Sequence, residues 1–322
     1  MRENFTVEVD GLVLRLDPET PIEGRQSAVK DYLNCHRLYG WQRVENLTPD
    51  KPRWPLEFGN ATHKFLQERG KGATMEEAME AGRLRLFRDI PKSITPFDDE
   101  EKMDMRELAE RLWPGYDAHW RMFSDESFIP LGQEVKGRVE VGENTGVFLV
   151  FQLDKLVSFL NNLWVVDYKT MGKNDDREFQ KFEIDIQPTA YIYGASKVLK
   201  QRVAGIIIDG LIKTKTPQYR REQYLRTDAE LAEFEREFPE IMREVAWRHK
   251  RVLNGEDWKT VFYKNTKHCF TWGRQCDFFL LCQRDSPVMR MQYKQRDPDY
   301  MDNPALLNVP DSNQGVRRAD SE

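Results

Sequence analysis

The sequence is poor in everything that would commit it to a membrane or a secretory route. No apolar run approaches the ~20 residues that a spanning helix requires. The opening residues, MRENFTVEVDG, lack a basic segment followed by an apolar one. No membrane partner is expected, and the cytoplasm is the expected compartment. Cysteine is scarce, with four residues among 322; in a reducing compartment these suit metal ligation or burial better than disulfides. Excess positive charge is missing too. The 49 Lys and Arg are outnumbered by 54 Asp and Glu, for a formal net charge of −5. That argues against a protein that coats nucleic acid non-specifically, but leaves room for an acidic site that gains a metal and for local basic clusters. No G-x-x-x-x-G-K-[ST] phosphate loop, and so no helicase motif of that kind, is present. No internal repeat is visible.

What is present is enough apolar material, 39% of the chain, to bury a full core. The stretch from 147 to 170 organises it. Two apolar runs, Val147–Leu153 and Leu163–Val166, flank an Asn161-Asn162 turn and predict a buried antiparallel pair. Asp154 closes the first run; Asp167 and Lys169 follow the second. Two apart on a strand, Asp167 and Lys169 share a face, and Asp154 lies just across the hairpin. Two carboxylates and an ammonium at the end of an apolar sheet are costly to bury unless they act; a structural ion pair is the alternative. The chemistry that suits them is metal-assisted phosphodiester hydrolysis, with Mg²⁺ or Mn²⁺ on carboxylate oxygens and a lysine on the nucleophile or developing anion.

Around this hairpin the patterns predict short strands at Phe5–Val9 and Leu12–Leu16, then a helix from Ser27 to about Val44 with Cys35 in its middle. A proline-rich loop leads to a helix over about Asn60–Arg69. A charged helical insert, about 70–125, follows, its second helix interrupted at Pro114. Strand Gly132–Val141, helix Ile184–Lys200, strand Val203–Ile212, edge strand Tyr219–Leu225 and a helix capped by Thr227 complete the pattern. Residues 1–285 are expected to form one domain and 286–322 a loosely ordered tail.

Asp154, then Asp167-Tyr168-Lys169, preceded by a Gly-x-x-x-His helix that carries His63, resembles the RecB-type branch of the PD-(D/E)XK nucleases. The resemblance implies an α/β fold, a mixed central sheet flanked by helices as in restriction endonucleases. It implies that His63, Asp154 and Asp167 bind metal, with Glu134 as a fourth group, and that Lys169 serves the attacking water. Gln187 and Tyr191, four apart on a helix and so on one face, match a Gln-x-x-x-Tyr element that borders the site. Tyr193 competes with Tyr191 for that place. Gln152 stands where the branch usually has a small residue. The implied function is metal-dependent DNA cleavage, exonucleolytic in mode, in phage or prokaryotic recombination or repair. Its partners would be single-stranded DNA or duplex ends and a recombination or repair protein. A non-catalytic DNA-binding or assembly module with the same fold is the competing class.

Cys269, Cys276 and Cys282 fall seven and six positions apart, more than two hundred residues after Cys35. Four thiols of this kind suit an iron–sulfur cluster or zinc. One N-terminal cysteine joined to a C-terminal triplet resembles the iron–sulfur members of the branch, which implies a 4Fe-4S cluster. The wide first gap leaves zinc, or His268 as a ligand, open. Lys213, Lys215, Arg220 and Arg221, interleaved with Tyr219 and Tyr224, form a basic stretch that could bind a phosphate backbone or simply shield a strand edge.

Overall fold

A computed structural model describes residues 6–9, 12–15, 21–51, 53–87, 100–122, 128–271 and 274–296. The chain begins with the antiparallel pair β1 (Thr6–Val9) and β2 (Leu12–Arg15). Strand β3 (Ile22–Gly24) leads into helix α1 (Gln26–Asn34). The helix expected to run on to Val44 breaks at Cys35, which is extended, and resumes as α2 (His36–Tyr39) and a π-helical turn, Gly40–Val44. Strand β4 (Leu47–Pro49) precedes α3 (Trp54–Gly70), which starts with Pro55 in its first turn, where a missing N–H costs nothing.

Helices α4 (Met75–Phe87) and α5 (Glu100–Met122) form the insert. Contrary to expectation α5 continues through Pro114. Leu112 and Trp113 beside it are fully buried, and Tyr219 donates to the Leu112 carbonyl at 2.8 Å. Packing there outweighs the hydrogen bond that proline removes.

The central strands follow: β5 (Phe128–Glu140), β6 (Val147–Phe159) and β7 (Asn162–Met171). The β6–β7 turn sits one residue earlier than the Asn-Asn pair suggested. Phe159 pairs with Asn162, and Leu160 and Asn161 both take positive φ, the two-residue geometry that matches strand twist. The short α6 (Asp176–Gln180) and then α7 (Ile186–Leu199) follow, the latter capped by Asp185 accepting from the Gln187 N–H. Next come β8 (Val203–Ile212), β9 (Gln218–Leu225) and α8 (Asp228–Leu253). Thr227 and Glu230 close a reciprocal capping box on α8.

The main sheet is mixed and six-stranded, in the order β3-β6-β7-β8-β9 with β5 on the other edge of β6. Pairings β3–β6 and β7–β8 are parallel; the rest are antiparallel. Alternation along β7 and β8 sends Val165, Ile206 and Ile208 toward α7 and α8, and Trp164, Val166 and Ile207 toward α3 and the insert. Both faces are therefore covered, which is why these strands read as continuous apolar runs.

The C-terminal region is built of α9 (Trp258–Val261), the two-residue strands β10 (Phe270–Thr271) and β11 (Arg274–Gln275), α10 (Phe279–Gln283), α11 (Pro287–Arg290) and β12 (Tyr293–Gln295). The stretch from 286, read as loose, thus starts as a helix and a strand that pairs antiparallel with β4. The rest of that tail, from 297, lies outside the described residues. Among the described residues no helix is long and apolar enough to cross a membrane.

Candidate active site

Two strands share one edge of β6. Strand β3 takes Val147–Leu149 and β7 takes Lys155–Phe159. A notch, residues 150–154, is left between them. Its last residue is Asp154, and the first residue of β7 beyond the paired stretch is Asp167. The two aspartates therefore stand where the strands part. The Tyr168 N–H, freed from the ladder, donates to Asp154 Oδ2 at 2.8 Å, so a carboxylate substitutes for the missing strand carbonyl.

Helix α3 supplies His63. Phe58, Thr62, Phe65 and Leu66 are buried toward the sheet, which brings the imidazole to the notch with Nδ1 3.2 Å from Asp154 Oδ1. Lys169 Nζ lies 2.5 Å from Asp167 Oδ2, and the Asp167 side chain is only 3% exposed. Across the notch Gln187 Nε2 faces Asp167 Oδ1 at 3.4 Å and donates to the Tyr191 hydroxyl at 3.2 Å. Tyr193 is taken up elsewhere, donating to Glu235.

The charges are strongly interdependent. Burial works against every ion here. For His63 it is outweighed by the Asp154 carboxylate, which raises the imidazole pKa. Asp154, also opposed by burial, is held below its ordinary range by His63, Lys169 and the Tyr168 N–H. Asp167 goes the other way, because burial and the Asp154 charge together exceed the help from Lys169. A pair of acids pushed in opposite directions by their surroundings is a mark of functional sites. Among the described residues no three His, Cys, Asp or Glu side chains already form a metal cage; here His63 and Lys169 neutralise the acids. Two carboxylates and an imidazole nonetheless fit a divalent cation by donor type.

Glu134 does not join this group. It lies opposite Asp154 in register, since Gln133 pairs with Lys155 and Val135 with Leu153. A positive φ of 50° interrupts the strand there, and its carboxylate accepts a short hydrogen bond from Gln152. The large residue in the place of a small one thus engages the acid that the motif assigns to the metal.

Of the basic stretch, Arg221 is engaged within the protein. Its Nε donates to Asp209, fully buried, at 2.8 Å, and its guanidinium lies 3.6 Å over the Trp120 ring. Tyr116 donates to the same carboxylate at 2.6 Å. This cation ties the insert to β8. Arg220 pairs with Asp176 and Glu222. Lys213 lies 5.4 Å over the Phe58 ring, and Lys215 is exposed. Sequence reasoning missed Arg25 and Gln26, where β3 meets α1: Gln26 Nε2 lies 3.3 Å from the Tyr191 hydroxyl. No local pattern marks them, because the contact depends on β3 pairing with β6.

Three of the four cysteines share one small core. Cys35, Leu38, Trp41, Leu47, Phe278 and Leu281 form a small core against which Cys276 and Cys282 pack. The Asn265 N–H donates to Cys35 Sγ and the Trp41 Nε1–H to Cys282 Sγ, both at 3.2 Å. Cys269 is joined to Cys276 through its backbone carbonyl at 2.9 Å. Burial raises the Cys276 thiol to about 11 and pushes Cys282 up as well. Among the described residues these thiols, too, are not closed into a metal cage. His268 contacts Thr271.

The chain matches the PD-(D/E)XK nuclease superfamily over residues 26–283. It belongs to that superfamily, and the mixed sheet with its flanking helices is the restriction-endonuclease-like fold. No curated protein matches it. Among solved structures it is similar to a "putative exonuclease" from Eubacterium rectale, at 18% identity and TM-score 0.46, covering 74% of this chain and 83% of that one.

Proposed function

We propose that this protein is a metal-dependent DNA nuclease whose chemistry is carried by Asp154, Asp167 and Lys169, with His63 completing the metal ligands. The observation that supports it is the convergence of an imidazole, two acids and a lysine where β6 and β7 part. PD-(D/E)XK nucleases typically use Mg²⁺ or Mn²⁺; when bound, such an ion neutralises phosphate charge and acidifies water. The protein's own groups do the rest. The Tyr168 N–H fixes the Asp154 rotamer, and Gln187, steadied by Tyr191, orients Asp167. Lys169, 27% exposed, reaches solvent from a buried base, which suits a group that holds the nucleophile or the developing anion.

Exonucleolytic action on DNA ends in phage or prokaryotic recombination or repair extends this reading through the RecB-type motif order, and a repair partner belongs with it. Three cysteines at one small core, with Cys269 tied to Cys276 through its backbone carbonyl, support a 4Fe-4S cluster, with zinc as the other occupant. N–H groups already aimed at two sulfurs are what a metal-bound thiolate accepts. Incubation of labelled single- and double-stranded DNA with Mg²⁺, Mn²⁺ or EDTA tests the activity. Metal-dependent cleavage is expected; binding without cleavage under all three would favour the non-catalytic module.

A further inference from the structure

The junction between β3 and α1, next to the contacts that join Tyr191, Gln187 and Asp167, carries a cation that the mechanism above does not use. Arg25 follows β3 directly and precedes α1 in extended conformation. Its backbone is held from three sides. Strand β3 pairs with Val147–Leu149 of β6. Gly24 lets Met242 of α8 approach so closely that a Cβ there would lie 2.5 Å from the methionine. Helix α1 is fastened to the start of α7 by Lys30 and Asp185, 2.5 Å apart. The neighbouring Gln26 reaches the Tyr191 hydroxyl, which connects through Gln187 to Asp167. Arg25 Nε is buried and has no hydrogen-bond partner among the described residues. Its charge is felt at the Tyr191 hydroxyl, together with those of Asp167 and Asp154.

A buried, unsatisfied guanidinium N–H is costly unless something supplies the acceptor. The carboxylates of the notch are already matched by His63 and Lys169. Substrate entering this notch brings anionic oxygens, and Arg presents a planar fork of donors suited to them.

We propose that Arg25 contacts a phosphate of the bound nucleic acid beside the acid pair, so that the β3–α1 junction forms the second wall of the substrate channel. This rests on the nuclease reading for the identity of the ligand, and two readouts keep the two claims apart.

The first is binding, by fluorescence anisotropy of labelled DNA oligonucleotides in EDTA across a salt series, with wild type, Arg25→Gln and Arg25→Lys. Removing one phosphate contact is expected to lower the magnitude of the log K versus log [salt] slope by about 0.7–0.9. Arg25→Lys should keep the slope and lose part of the affinity, and thermal melting should show both variants folded. A merely structural arginine would not move the slope. The second readout is cleavage with Mn²⁺. Arg25→Gln should lose on the order of 10- to 100-fold in kcat/KM, the scale of a charged hydrogen bond. Equal losses on 5′-phosphate and 5′-hydroxyl ends would identify an internal phosphodiester, and loss confined to the former an end phosphate. Wild-type slope and affinity in a folded Arg25→Gln overturn the contact, as does failure of the wild type to bind DNA. An Arg25-dependent slope without any cleavage overturns the nuclease reading alone.

Discussion

The notch and the cysteine region are both read from short motifs, yet they are built differently. At the notch, three side chains come from one hairpin, and the distances that matter are hydrogen-bond lengths: 2.5 Å for Lys169–Asp167 and 2.8 Å for Tyr168 N–H to Asp154. Strand parity and the ending of one ladder suffice to create them. In the cysteine region Cys35 comes from one end of the chain and Cys276 and Cys282 from the other, and they share a core with Trp41, Phe278 and Leu281. Local geometry makes the first arrangement; tertiary packing makes the second. The notch should thus respond to single substitutions in activity, and the cysteine region in stability.

The largest effect expected is on the rate at the notch. Asp167→Ala should abolish cleavage, and Lys169→Ala should lower kcat by on the order of 10²-fold or more. Melting of Asp167→Ala should stay near wild type, since burial already disfavours that carboxylate's charge. Single-turnover assays beside calorimetry separate the two effects.

Next comes Arg221→Ala, which should cost about 3–5 kcal/mol by leaving Asp209 buried without its cation. Arg220→Ala, an exposed pair, should cost about 0–1 kcal/mol. Urea titration of both checks that two adjacent arginines, alike in sequence, differ in the burial of the acids they pair with.

In the cysteine region, Cys35→Ser should remove the proposed metal and lower the melting temperature while leaving the notch able to cleave DNA. Anaerobic protein should be brown if iron is bound; colourless protein with stoichiometric zinc would make the site a Cys₄ zinc centre. Loss of neither metal nor stability in Cys35→Ser would break the contrast between the regions.

The smallest effect is a pH dependence beside that region. Burial lowers His249 to about 4 from an ordinary 6.5, and the ring meets the Tyr39 hydroxyl at 3.1 Å. Between these values the unfolded chain binds the extra proton. Stability is therefore full above about pH 6.5 and falls as pH drops toward 4, by about 2–3 kcal/mol. His249→Gln should flatten that part of the pH–stability curve.

How far such features were legible depends on the range of their causes. The individual strands and helices followed from alternation and capping, with Val147–Leu153, Leu163–Val166 and Thr227 carrying their instructions within a few residues, while the mixed central sheet was implied by the family resemblance. Asp167 and Lys169 share a face by strand period alone. Cys35 was read as mid-helix because the residues on either side are helical; the extended break coincides with the Asn265 contact to its sulfur, over two hundred residues away. Arg221 looked like a phosphate contact because Asp209 and Tyr116 are invisible to local pattern. Glu134 was assigned by order, whereas its positive φ and its bond to Gln152 arise from cross-strand pairing.

The most direct test of the central claim is single-turnover cleavage of labelled DNA by the wild type and Lys169→Ala, each with Mn²⁺ and with EDTA. The account predicts rapid cleavage by wild type with Mn²⁺, none with EDTA, and a loss on the order of 10²-fold or more in Lys169→Ala despite unchanged DNA binding. Cleavage by Lys169→Ala at the wild-type rate, or wild-type cleavage undiminished in EDTA, would contradict it.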